Sequence, residues 1–171
     1  MFDLDDPDMK EIVDEFCDES DGLLEEIRDI LFEFEDNPTN PSALEQFGQV
    51  IDRIMGASKT LGLSDIGHLC QMGKIIGYKG SQVGEQPLQE VTCGVLMDLC
   101  DFLEELLTNL RNSKKETDYD IDAFKGRLQW LAAKFRHIDR ASCEIEGKKS
   151  SGKNVTTAEL DRLINQFGQT G

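Results

Sequence analysis

The sequence predicts an all-α protein: an antiparallel bundle of about five helices, then a flexible linker and a short C-terminal helix. Three observations predict it. Apolar residues recur at spacings of three and four along most of the chain. No stretch shows the alternation of a half-buried strand. Clusters of Gly, Pro and Asn interrupt the helical pattern where connections are needed. A chain of 171 residues suits about one domain.

The first helix is expected over residues 8–35. Ile12, Val13, Phe16, Leu23, Leu24, Ile27, Ile30, Leu31 and Phe34 form its inner stripe, and Asp and Glu fill the remainder. The run DNPTNP breaks it. Asn40 or Ser42 can cap the second helix, with Pro41 tolerated in its first turn. That helix runs to about Leu61 and stops at Gly62. A third helix is expected over 64–76, capped by Ser64 or Asp65. The segment GYKGSQVGEQP has three glycines and a proline, and reads as a loop over 77–87. A fourth helix follows over 88–112 and a fifth over 121–138. The run EGKKSSGKN has the composition of a flexible linker. The chain then divides into a helical body (1–142), a linker (143–155) and an amphipathic peptide (156–171).

Charge narrows the function classes. Acidic residues number 34 against 18 basic, for a net charge of −16. Residues 1–37 alone hold sixteen acids and two bases, Lys10 and Arg28. Nucleic-acid binding needs cations on phosphates, so this balance argues against it. It argues equally against electrostatic docking on anionic lipid. No apolar run is long enough to span a bilayer, and the acidic start lacks the features of a signal peptide. The five cysteines form no CxxC pair, and are expected to be reduced thiols in a cytoplasm.

The second helix is the most informative segment. Leu44, Phe47, Ile51, Ile54, Ser58 and Leu61 gather on one side, while Glu45, Gln49, Asp52 and Gly56 gather opposite. An acid, an amide, an acid and a glycine thus form a polar ridge turned from the core. A solvated helix face is the ordinary explanation of such a ridge. Gly48 and Gly56 favour a different one, because glycine inside a helix costs about 1 kcal/mol against alanine. Small residues there would let another surface approach.

The stretch from Phe16 to Cys70 resembles a histidine phosphotransfer domain, especially that of CheA-type chemotaxis kinases. The family pattern is close to H-x-x-K-G-S-A-x-x-L-G, and this chain has DRIMGASKTLG. Gly56, Leu61 and Gly62 fit. Asp52 stands at the phosphoacceptor histidine and Met55 at the lysine. The resemblance implies a phosphotransfer-like bundle that meets a response regulator, or a chemotaxis histidine kinase, on this helix. Phosphotransfer needs an imidazole nucleophile. His68, on the next helix, reads as a partly buried structural residue, and His137 as solvated.

The segment EQFGQVIDR is also similar to the active segment of CheZ-type phosphatases, pattern D-x-x-G-Q-V-I-x-R. That resemblance implies Gln49 as the catalytic glutamine, Glu45 as its acidic neighbour, one methylene longer than Asp, and Asp52 in a supporting role. The partner implied is a phosphorylated CheY-like receiver. A receiver brings its own Mg²⁺, so no cofactor is expected of this chain. It lacks a placed water, which a glutamine amide can both donate to and accept from.

The tail TTAELDRLINQFG carries Leu160, Leu163, Ile164 and Phe167 on one helical face, with Thr156 or Thr157 to cap it. It resembles the receiver-binding peptide at the end of CheZ. The resemblance rests on Glu159, Leu160, Asp161, Leu163 and Ile164, and implies a tethered peptide that docks a receiver. A helix folding back on the bundle is the plainer alternative. Gly48 and Gly56 join these residues as candidate partner contacts.

Other signals carry less. Cys70, Cys93 and Cys100 with His68 match no zinc spacing, and no metal site is expected. Gly77, Gly80 and Gly84 precede no phosphate-loop lysine. The apolar face around Trp130 suits a core or a dimer surface. The expectation is a cytoplasmic regulator that promotes hydrolysis of a receiver's aspartyl phosphate. Its rivals are a non-catalytic pseudo-phosphotransfer domain that scaffolds a receiver or kinase, and a dimerisation bundle with no signalling partner. The receiver and the oligomeric state stay open.

Overall fold

The structure is a computed structural model that describes residues 6–40, 42–113, 120–146 (the last nine as backbone only) and 157–167. Among these residues there are helices and no strand. The helices are α1 (Pro7–Asp36), α2 (Ser42–Thr60), α3 (Ser64–Gln82), α4 (Gln86–Arg111), α5 (Ile121–Glu146) and α6 (Thr157–Gln166). The chain forms two compact units, 1–119 and 120–171. The expected body of five helices over 1–142 is therefore divided differently. Four helices make the first unit, and the fifth belongs with the C-terminal helix.

In the first unit each helix packs on the next, and α4 closes against α1. Short connections make the neighbours antiparallel. Asp6 caps α1, its carboxylate accepting the Asp8 N–H at 3.0 Å, and Pro7 takes the first turn where its missing N–H costs nothing. The buried line of α1 runs through Val13, Cys17, Ser20, Leu24, Ile27, Leu31 and Phe34. Ile12, expected on that stripe, is 45% exposed. It stands about 100° around the helix from Val13, past the edge of the contact with α2 and α4.

α2 ends as expected at Gly62, whose φ is +70°. The Leu63 N–H donates to Ser58 O at 2.9 Å and the Gly62 N–H to Lys59 O at 3.2 Å. That pair of bonds is a Schellman ending, which needs a left-handed residue and so favours glycine. Neither Ser64 nor Asp65 caps α3. Its N-cap is Leu63, with no side-chain bond, because the Schellman turn carries the chain straight into the next helix.

The loop expected over 77–87 is mostly helix, since α3 continues to Gln82. Gly77 and Gly80 are contact points rather than breakers. A Cβ on Gly77 would lie 2.7 Å from the Leu44 carbonyl oxygen, and one on Gly80 would lie 2.7 Å from Thr92 Cγ2. With Gly73 they form a bare strip along α3 that lets α2 and α4 come close. The true connection is 83–85, tied down by Gln89, whose Nε2 donates to Val83 O at 2.6 Å.

Two arginines join the acidic α1 to α4. Arg28 meets Asp101 at 2.8 Å and Glu104 at 2.6 Å. Arg111 meets Asp18 at 2.6 Å and Asp21 at 2.7 Å. The same seam buries two thiols: Cys17 Sγ donates to Leu107 O and Cys93 Sγ to Leu31 O. Burial pushes the Cys17 and Cys93 thiols up to about 11 and Cys100 up to about 12. Cys70 is raised further by the same cause. These thiols act as small core residues, as expected. The Cys143 side chain lies outside the described residues.

In the second unit α6 packs on α5. Leu160, Leu163, Ile164 and Phe167 are buried, as are Phe124, Leu128, Leu131, Ala132 and Phe135 of α5. Arg136 pairs with Asp161, and Lys125 Nζ donates to the Phe167 carbonyl at 2.7 Å. The tail was expected to be detached with open apolar anchors, but it folds back. Its four apolar residues need cover, and the matching stripe of α5 supplies it. Of the linker expected over 143–155, residues 143–146 continue α5, which runs to Glu146; residues 147–155 and the cap position Thr156 lie outside the described residues.

Candidate functional site on the α2 face

The site is built on α2 because the inner stripe of that helix fixes its rotation. Leu44, Phe47, Ile51 and Ile54 are at most 1% exposed. The opposite face must then point outward. Glu45, Gln49 and Gly56 are exposed, and Asp52 is half-buried. Glu45 and Gln49 stand four residues apart and share a face, so their side chains lie one above the other. Among the described residues none hydrogen-bonds the Gln49 amide.

Asp52 has a partner that the pattern of α2 did not announce. Lys74 of α3 reaches across and its Nζ donates to Asp52 Oδ1 at 2.8 Å. Each side chain keeps 45% of its surface open. No periodicity in α3 marks Lys74, since a lysine between Gly73 and Ile75 reads as any exposed helix position. Only the packing of α3 on α2 brings it beside the ridge.

The two glycines of α2 differ. Gly56 is open, with nothing within 4 Å of where its Cβ would be. Gly48, expected on the open face, is buried on the α2–α3 seam. A Cβ there would meet Lys74 O at 3.6 Å and Lys74 Cγ at 3.9 Å. Lys74 thus covers the surface that a partner was expected to use. Met55, at the lysine position of the family pattern, is half-buried. His68 is half-buried on α3 and His137 exposed on α5, as their sequence contexts indicated.

The ridge and the tail stand in different units. Glu159 and Asp161 are half-buried on α6, while Leu160, Leu163, Ile164 and Phe167 are turned into the α5–α6 seam. Among the described residues there is no cluster of metal-binding side chains, and no helix long and apolar enough to cross a membrane.

The Hpt domain model matches residues 11–113, more than half of the chain. The chain belongs to the Hpt domain family. The match ends within two residues of the end of α4, so the Hpt domain is the four-helix unit and α5 and α6 lie outside it. Comparison with curated proteins and with solved structures gives no match. Membership places the chain in a two-component, phosphotransfer-related role. Hpt domains interact with response regulators and kinases, and in this Hpt domain α2 offers an exposed acid and amide with a carboxylate–lysine pair beside them.

Proposed function

We propose that this chain docks a phosphorylated CheY-like receiver on the open face of α2 and promotes hydrolysis of its aspartyl phosphate. In this reading Gln49 enters the receiver's site. Its carbonyl oxygen accepts from a water and its NH₂ donates to the same water's oxygen. The water oxygen forms a bond to phosphorus while the bond from phosphorus to the aspartyl oxygen breaks. Inorganic phosphate and a free aspartate leave. A receiver's own Mg²⁺ would supply charge neutralisation there, and Gln49 contributes position rather than bond-making. Glu45 pairs with a receiver lysine and sets the docked angle. Asp52 supports that geometry. The reaction belongs in the cytoplasm.

The observation that carries this reading is an exposed amide at Gln49, without a hydrogen-bond partner among the described residues, with Glu45 one turn before it. It supports water positioning because both groups reach outward from one rigid face. Asp52, at the phosphoacceptor position of the family pattern, presents a carboxylate where phosphotransfer needs an imidazole. The test is phosphate release from a phosphorylated CheY-type receiver. Gln49→Ala is expected to lose about 10²-fold or more of the acceleration. Equal rates for Gln49→Ala and wild type refute it.

The Asp52–Lys74 pair favours a second reading, in which the face only binds. A carboxylate already held by a lysine is a docking feature rather than a reactive one. This reading predicts affinity for a receiver with an unchanged rate of dephosphorylation. In both readings α6 contributes to docking, so deletion of residues 154–171 weakens binding. The apolar face of α6 reaches a receiver only after leaving α5.

A further inference from the structure

The ridge presents a problem of charge. Glu45 and Asp52 are acids, and the group they would meet on a phosphorylated receiver is anionic. Like charges at such range repel. Lys74 stands where it resolves the conflict. Its stem lies against the bare backbone of Gly48, with Cγ 3.9 Å from the place of a Cβ there. Its ammonium meets Asp52 at 2.8 Å. The side chain therefore spans one turn of α2, from residue 48 to residue 52. Gln49 and Asp52 are neighbours at i, i+3.

The ammonium is not used up by this pair. It has three N–H donors, one points to Asp52 Oδ1, and 45% of the side chain faces solvent. Asp52 fixes the direction of a flexible lysine at small loss of charge in the open half. Gly48 leaves the α2 backbone bare beneath the lysine stem, where an added Cβ would sit in ordinary contact with Lys74 O at 3.6 Å and Cγ at 3.9 Å.

We propose that Lys74 is the residue by which this face tells a phosphorylated receiver from an unphosphorylated one, its ammonium hydrogen-bonding a phosphoryl oxygen while Asp52 holds it in place. The inference rests on the docking reading above and deepens it. Lys74 contacts the phosphoryl group, Gln49 the water, and Asp52 acts through Lys74 as a positioning residue. Charge-assisted contacts to phosphate oxygens are the stronger class of hydrogen bond, so recognition concentrates in this one side chain.

The experiment titrates the full chain with a CheY-type receiver holding Mg²⁺, with and without beryllofluoride as the phosphoryl mimic. Wild type is expected to prefer the beryllofluoride form. Lys74→Gln cuts that preference on the order of tenfold, with binding to the unloaded receiver changed by less than about twofold, since a half-exposed pair contributes little to the fold. Lys74→Arg keeps most of the preference because it retains charge and donors. Asp52→Asn lowers the preference less than Lys74→Gln does. A thermal melt of each variant establishes that the bundle is intact. An unchanged preference in Lys74→Gln, or an equal loss for both receiver forms, overturns the proposal. So does a wild-type chain without preference. If Gln49→Ala hydrolyses as fast as wild type while Lys74→Gln loses its preference, the hydrolytic reading falls and Lys74 recognition stands.

Discussion

Alanine at Gly77 tests how the α2 face is held. The new Cβ would sit 2.7 Å from the Leu44 carbonyl oxygen and 3.1 Å from Phe47 Cδ1, inside the 3.0 Å that such atoms keep in the first case. The oxygen is backbone, so relief requires α2 to move against α3. Overpacking of this kind costs about 1–3 kcal/mol. The helix propensity of alanine returns about 1 kcal/mol. Because the blocked atom cannot rotate away, the upper part of the range applies, and the net loss is about 1–2 kcal/mol. Gly94 is the control. It is exposed inside α4 with nothing within 4 Å of its Cβ position, so Gly94→Ala gains about 0.5–1 kcal/mol from propensity alone.

Urea unfolding followed by circular dichroism reads both. With a slope of about 2 kcal/mol/M, Gly77→Ala lowers the midpoint by about 0.5–1 M and Gly94→Ala raises it by about 0.3–0.5 M. A Gly77→Ala midpoint at or above wild type refutes the reasoning, as does a shift of the same sign in both variants. Leu44 adjoins Glu45, so the displaced helix carries the ridge with it. Gly77→Ala is therefore expected to impair receiver binding under conditions where the bundle is still folded.

Three further outcomes follow from the packing. The raised thiols bind their protons more tightly folded than unfolded, so their stabilising effect is complete below about pH 9 and is lost as pH rises through about 11; the urea midpoint at pH 10.5 falls below that at pH 8, and Cys17→Ala reduces the difference. Arg28→Ala removes pairs with Asp101 and Glu104, whose side chains are 56% and 61% exposed, and costs about 0.5–1 kcal/mol; 0.5 M salt narrows that gap, by urea unfolding. Ile164→Asp places a charge at a site 0% exposed, so amide exchange over 121–137 quickens while the four-helix unit keeps its protection.

How far these features could be read from residues alone varies by kind. Amphipathic stripes found α1, α2 and α4 because helical periodicity is local information. Gly62 was legible as a stop, since the left-handed turn it makes is also local. Gly77 and Gly80 misled for the opposite reason. Their glycine is demanded by Leu44 and Thr92, residues of other helices, and the sequence shows a glycine without its neighbour. The same limit hid Lys74, whose meaning lies in Asp52 some twenty residues earlier, and turned Gly48 from an apparent docking surface into a seat for a lysine. The α6 anchors were legible as a one-faced helix. That the face closes on α5 depends on a complementary stripe, which is non-local.

Fold and chemistry are separable in this bundle, and the separation can be measured. Residues that hold α2 in place point inward or into the α3 seam: Leu44, Phe47, Ile51, and Gly77 beneath them. Residues that would meet a partner point outward and hold little of the fold together. A bundle so arranged can exchange its surface groups with almost no cost in stability, which is why membership in a fold family leaves the reaction to be argued from the site. The two classes of variant must then show opposite signatures. On the proposed hydrolytic reading, Gln49→Ala and Glu45→Ala are expected to unfold within about 0.5 kcal/mol of wild type while any acceleration of hydrolysis is lost. Gly77→Ala is expected to unfold early, with any loss of acceleration tracking the displaced helix. If Gln49→Ala proves as destabilising as Gly77→Ala, then Gln49 is part of the scaffold, and the outward face of α2 has no claim to the chemistry.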